Sequence, residues 1–204
     1  MTQLKFNLRK VEWKPMHTDN LIDQETRPNG RLRLFSLYLD FAASVRARWV
    51  SNIILKSARP RWEASAEMWA LDFFRTNQPI KGMMLQGAVD ADVLIVALSS
   101  LDRREPKLVE WLNALADQKA ELPISGLFIG LLGDEDHKAG ELGWTVKHFM
   151  SCAQRMGTDF IWHWMGREAI NDTTWLTDNV EKYLSRKQSQ SNLTWWQEPA
   201  VRFG

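Results

Sequence analysis

Two near-continuous apolar runs, Val93-Leu94-Ile95-Val96-Ala97-Leu98 and Leu127-Phe128-Ile129-Gly130-Leu131-Leu132, flank a Pro-started helical pattern and constrain the chain more than any other feature. Strands that are apolar at successive positions need burial on both faces, which a parallel sheet covered by helices on each side provides. The helix between them starts at Pro106 and carries Leu108, Val109, Leu112, Leu115 and Ala116 as its apolar stripe.

The same alternation extends in both directions. Arg31–Leu39 reads as a first strand after the turn signal Pro28-Asn29-Gly30, and Asp40 ends it. Ala42, Val45, Trp49 and Ile53 recur at helical spacing, with Arg46, Arg48 and Lys56 assigned to the wet face. Trp62–Met68 alternates strictly, as an edge strand does, and Ile80, Met83, Met84 and Gly87 mark a short helix. After the second apolar run comes a polar stretch, Gly133–Lys138, and then a helix built on Leu142, Val146, Phe149, Ala153 and Met156, with Gly157 as its C-terminal cap. Phe160–Met165 is the fifth strand, and Trp175, Val180, Tyr183 and Leu184 mark a last helix. Five strand–helix exchanges predict an α/β fold: a three-layer sandwich around a doubly wound, five-stranded parallel sheet with the flavodoxin-like order 2-1-3-4-5.

A chain of 204 residues fits one α/β domain, here 31–185, with two extensions. In residues 1–30, Leu4, Phe6 and Leu8 alternate with polar residues before the phase slips to Val11 and Trp13, which predicts an added edge strand. Residues 186–204 read as a polar linker, Lys187–Asn192, followed by a tail carrying Trp195 and Trp196. Two indoles left in water would promote association, so these two are the candidate interface, either on the same domain or on a homodimer or protein partner. The net charge of +1 carries no nucleic-acid footprint. The single Cys152 fits a reducing cytoplasm, and no uncharged stretch reaches the length of a membrane helix.

The residues Leu37-Tyr38-Leu39-Asp40, Ala91–Ser99, Pro106–Leu112, Gly126–Leu132 and Met156–Phe160 together resemble a bacterial group with a receiver-like or flavodoxin-like layout. The resemblance spans residues 31–165 and implies the fold, with no activity attached to it.

Ligands of such sheets bind beyond the carboxyl ends of the strands. There the chain offers Asp40 and Ser44 after strand 1, Ser99, Ser100 and Glu105 after strand 3, and Asp134 after strand 4. These are the candidate crevice residues, and they complete no known catalytic constellation. No glycine follows strand 1 to let a phosphate approach the backbone, and Asp40 would repel one. A phosphoacceptor receiver needs an aspartate where strand 3 ends in Leu98-Ser99-Ser100. The region after strand 3 is also similar to nucleotide-hydrolysing TIR and deoxyribosyltransferase groups, which would cast Glu105 or Glu110 as acid or base; a glutamate in a first helical turn is more often a dipole partner. The cluster Asp134-Glu135-Asp136-His137 matches no defined metal spacing and reads as a solvated turn. His163, between Trp162 and Trp164, reads as a histidine satisfied in the sheet layer, and Cys152 as a core residue. No cofactor and no metal is expected. Two functions remain: a non-catalytic, receiver-like interaction module, or a hydrolase or transferase acting on a nucleotide-like small molecule at this crevice.

Overall fold

A computed structural model of the chain describes residues 30–59, 61–73, 78–100, 105–122, 126–135, 143–165 and 173–194. Strand β1 (Arg31–Tyr38) leads to α1 (Phe41–Ala58), β2 (Glu63–Ala70), α2 (Gln78–Val89), β3 (Val93–Ser100) and α3 (Pro106–Ala120). Strand β4 (Leu127–Glu135), α4 (Trp144–Arg155), β5 (Asp159–Trp164) and α5 (Thr174–Thr194) complete the order. The five strands form one parallel sheet in the order β2-β1-β3-β4-β5, as the alternation predicts.

Each face of the sheet has its own core because successive side chains of a strand point to opposite sides. On one face Phe35, Leu37, Leu94, Val96, Phe128 and Leu132 meet α2, α3 and α4, with Trp111 fully buried and stacked on Phe35 at 5.9 Å. On the other, Leu32, Leu34, Val93, Ile95, Ile129 and Leu131 meet α1 and α5. Gly157 has φ +64° and ends α4, the left-handed position that favours glycine.

Three local expectations are corrected. The buried face of α1 is Ala43, Ala47, Val50, Ser51, Ile54 and Ala58, one residue out of phase with the expected stripe, and Val45 is exposed. Alanines at 43 and 47 let the helix lie close to the sheet, and the Ser51 hydroxyl is satisfied at that contact by Ser36 Oγ (3.1 Å) and Ala47 O (2.8 Å). Gly133, Asp134 and Glu135 belong to β4 and not to a loop, because Glu135 still pairs with Ser100 after a register shift. Residues 187–192, expected as a linker, continue α5 to Thr194. No proline or glycine interrupts the sequence there, so a polar composition alone does not stop the helix.

Lys187 also anchors that helix to the amino end of the sheet. Its ammonium pairs with the carboxylate of Asp92, which accepts a 2.8 Å hydrogen bond from Arg33 N through its other oxygen. The Asp92 carbonyl accepts from Leu127 N at 2.9 Å and from the buried Tyr183 hydroxyl at 3.2 Å. Beside it the buried Lys119 donates to Val89 O (3.0 Å) and Ala91 O (2.7 Å), capping the end of α2; desolvation pushes its ammonium below the usual lysine range. The expected terminal strand and the Trp195–Trp196 tail lie outside the described residues. Among the described residues no helix is long and apolar enough to cross a membrane.

Candidate active site

The carboxyl end of β1 gives way to α1 through Asp40, whose extended backbone (φ −147°, ψ −177°) makes it the helix N-cap. Its Oδ1 accepts a hydrogen bond from Ala43 N at 2.9 Å, satisfying one of the amides that a helix start leaves open. The same oxygen accepts the Ser99 hydroxyl proton at 2.6 Å, so β1 and β3 are joined at the point where the strand order reverses.

Ser99 reaches Asp40 because β3 is irregular there: its register against β4 shifts between Leu98 and Ser100. Across that shift stands Gly133, where a Cβ would lie 2.1 Å from Ser99 O and 2.7 Å from Ser99 C. Only a residue without a side chain fits so close to a neighbouring backbone.

Arg46 completes the group. Its Nη2 donates to Leu98 O and to Ser99 Oγ, each at 3.0 Å, so Ser99 Oγ accepts from the guanidinium while donating to Asp40. Expected on the wet face, Arg46 instead turns inward because the one-residue phase shift of α1 brings it to the flank beside β3. Sequence reasoning missed this residue; the Ala43–Ala47 spacing, read as the close-packed face, would have found it. Partial burial alone would raise the Asp40 pKa. The hydrogen bonds from Ser99 and Ala43 and the Arg46 charge outweigh burial and hold the carboxyl below the usual carboxylate range.

Ser44 and Glu110 make their hydrogen bonds elsewhere. Ser44 turns back on its own helix, its hydroxyl donating to Phe41 O at 2.6 Å. Glu105 is the N-cap residue of α3, without a side-chain capping bond. Glu110 faces α2, where Lys81 donates to it at 2.7 Å and pulls its pKa down. Ser100 and Asp134 lie on β3 and β4 at this edge with side chains outside the described residues, as are Asp136 and His137 entirely. His163 stacks on Trp175 at 4.2 Å.

Cys152, fully buried as expected of a core residue, lies 3.7 Å from His148 Nε2 and 4.0 Å from Asn113 Oδ1. Burial pushes the thiol up and the imidazole down, so both are neutral near pH 7 and no thiolate–imidazolium pair forms. Asn113 Oδ1 meanwhile accepts from Arg155 at 2.8 Å.

The capping role leads to a first prediction. Asp40→Ala lowers stability by about 1–2 kcal/mol at pH 7, the usual cost of a lost N-cap. With its folded-state pKa depressed, Asp40 stabilises the fold above the ordinary carboxylate value of about 4, and that contribution is lost as pH falls through the folded pKa. Urea denaturation at pH 7 and pH 3 therefore shows a gap between wild type and Asp40→Ala that narrows in acid; an equal gap at both values would contradict it.

No family model matches the chain, and no curated protein matches it. Solved structures of similar layout include an azoreductase from Bacillus anthracis str. Sterne, 11% identical over 78% of this chain and 96% of that one, with a TM-score of 0.46. A short-chain flavodoxin associated with a non-canonical PDU bacterial microcompartment is 13% identical over 76% and 98%, with a TM-score of 0.48. A flavodoxin from Pseudomonas aeruginosa is 13% identical over 78% and 97%, with a TM-score of 0.44. At these values the likeness concerns the path of the chain and none of its chemistry.

Proposed function

We propose that this chain is a non-catalytic, receiver-like α/β module that works through protein contacts. The observation that supports this reading is the occupied start of α1. In open α/β sheets a helix N-terminus at the strand-order reversal is the natural seat for a phosphate, since open amides and the helix dipole both favour an anion. Here the anion is the chain's own Asp40 carboxylate, held by Ala43 N, Ser99 Oγ and the Arg46 charge. A phosphate arriving at that seat would meet a fixed negative charge and find an amide already bonded.

The second reading, a hydrolase or transferase for a nucleotide-like substrate, draws on the same contact, because a serine hydroxyl 2.6 Å from a carboxylate is a familiar start for nucleophilic chemistry. The lowered Asp40 pKa weighs against it, since the hydrogen bonds and the Arg46 charge that hold the carboxylate make it a weaker base towards serine than an ordinary one.

Thermal unfolding followed by tryptophan fluorescence separates the two. FMN, a nucleoside triphosphate, a nicotinamide dinucleotide and a sugar phosphate, each at millimolar concentration, leave the wild-type midpoint unchanged. A ligand at 100 times its Kd would add about 2.7 kcal/mol and raise the midpoint by roughly 5–10 °C. A reproducible shift of that size with any of them overturns the interaction-module reading.

A further inference from the structure

Among the described residues no strand pairs with the outer edge of β2, and that strand carries a pattern. Glu63, Ser65 and Glu67 lie on one face of the strand; Ala64, Ala66 and Met68 lie on the other, where Ala64 and Met68 pack towards α1. Glu63, Ser65, Ala66 and Glu67 are exposed, and the strand contains no basic residue. The first ten residues of the chain carry the complement: Lys5, Asn7 and Arg9 alternate with Leu4, Phe6 and Leu8, and no acidic residue occurs among them.

We propose that residues 4–9 dock on β2 as an antiparallel sixth strand, pairing Lys5 with Glu67, Asn7 with Ser65 and Arg9 with Glu63. Both segments place charge, small polar and charge at every second position, so one register matches all three pairs; opposite charges across a strand pair are stabilising. The same register sets Leu4 beside Met68, Phe6 beside Ala66 and Leu8 beside Ala64. The large Phe6 and Leu8 side chains then cover alanines, over the flank of α1 where Leu55 is half-buried. The connection fits too. Gly30 lies at the amino end of β1 with its carbonyl accepting from Glu63 N at 2.9 Å, so the chain reaches the sheet beside β2. An antiparallel strand ending at Arg9 finishes at that same end, and the intervening residues cover the gap easily at roughly 3.3 Å each.

The opposite edge offers no such match. Phe160–Met165 carries no charge, and Asp159 is already paired with Arg186. On β2, among the described residues, Glu63 holds an exposed contact with Arg31, and Glu67 a long 3.4 Å bond from Trp69 Nε1.

Hydrogen exchange on the full chain tests the pairing, reading the peptide spanning 63–70. Lys5→Glu with Arg9→Glu is expected to speed exchange there by roughly tenfold, as an edge strand losing its partner does. Adding Glu63→Lys and Glu67→Lys restores protection. Unchanged exchange after the first pair of substitutions overturns the proposal. So does protection that rises with protein concentration alongside a dimer in sedimentation, which would place the strand on a second copy. The reading does not depend on the crevice: a ligand found at Asp40 would leave this result standing.

Discussion

Replacing Gly133 with alanine will cost this fold about 3 kcal/mol or more, at the upper end of what overpacking a close contact does. The added methyl would sit 2.1 Å from Ser99 O and 2.9 Å from Ser99 Cα. Those are backbone atoms of a central strand, which cannot swing aside as a side-chain end would. Either β3 and β4 separate at their register shift, or Ser99 moves and releases Asp40 and Arg46 together. For a chain of this size the unfolding midpoint falls by roughly 6–12 °C. Gly82→Ala is the matched control: nothing lies within 4 Å of its added Cβ in the middle of α2, so it should leave stability unchanged or raise it by up to about 1 kcal/mol. Equal midpoints for the two variants would mean that β4 does not pass so close to Ser99.

The second large effect is expected at the other end of the sheet. Asp92→Ala removes the partner of Lys187 and the acceptor of Arg33 N in one step, and both groups sit where water reaches poorly: the Lys187 and Asp92 side chains are 20% and 12% exposed. Breaking a largely buried ion pair by deleting one member costs about 3 kcal/mol, because the remaining charge stays shielded from water with its carboxylate partner gone. Asp92→Asn keeps an acceptor for Arg33 N and loses less. Urea titrations of the three proteins rank them wild type, Asn, Ala. An Ala variant within 1 kcal/mol of wild type, the scale of an exposed ion pair, would show that Lys187 turns to solvent freely.

Much of this architecture is legible in the residues. The runs at 93–98 and 127–132 are too apolar for any strand with a wet face, and Pro106 and Gly157 mark helix ends by the backbone they require. The phase of α1 is not legible, because Ala42, Ala43, Val45, Ala47, Trp49 and Val50 supply apolar residues around much of the helix. What chooses the buried side is the close approach to the sheet, which small residues permit, and that is a tertiary fact. From that one-residue difference follows the misplacement of Arg46. At the crevice, Asp40 and Ser99 were both visible as polar residues at strand ends. Their direct contact was not, since it depends on a register shift that involves Gly133, and neither residue betrays it in its own segment.

The strand order β2-β1-β3 has a consequence in time. The ribosome makes β1 first, yet both of its neighbours come later in the chain, β2 at 63–70 and β3 at 93–100. At roughly 5–20 residues per second, about 60 further residues take some 3–12 s to add. Until β2 is made, β1, with Leu32, Leu34, Phe35 and Leu37 all destined for the interior, has no strand to pair with, and its other edge stays open until β3 follows. The nascent chain is therefore at its most adhesive in its first half, which makes a chaperone's holding action most useful before β3 has left the ribosome.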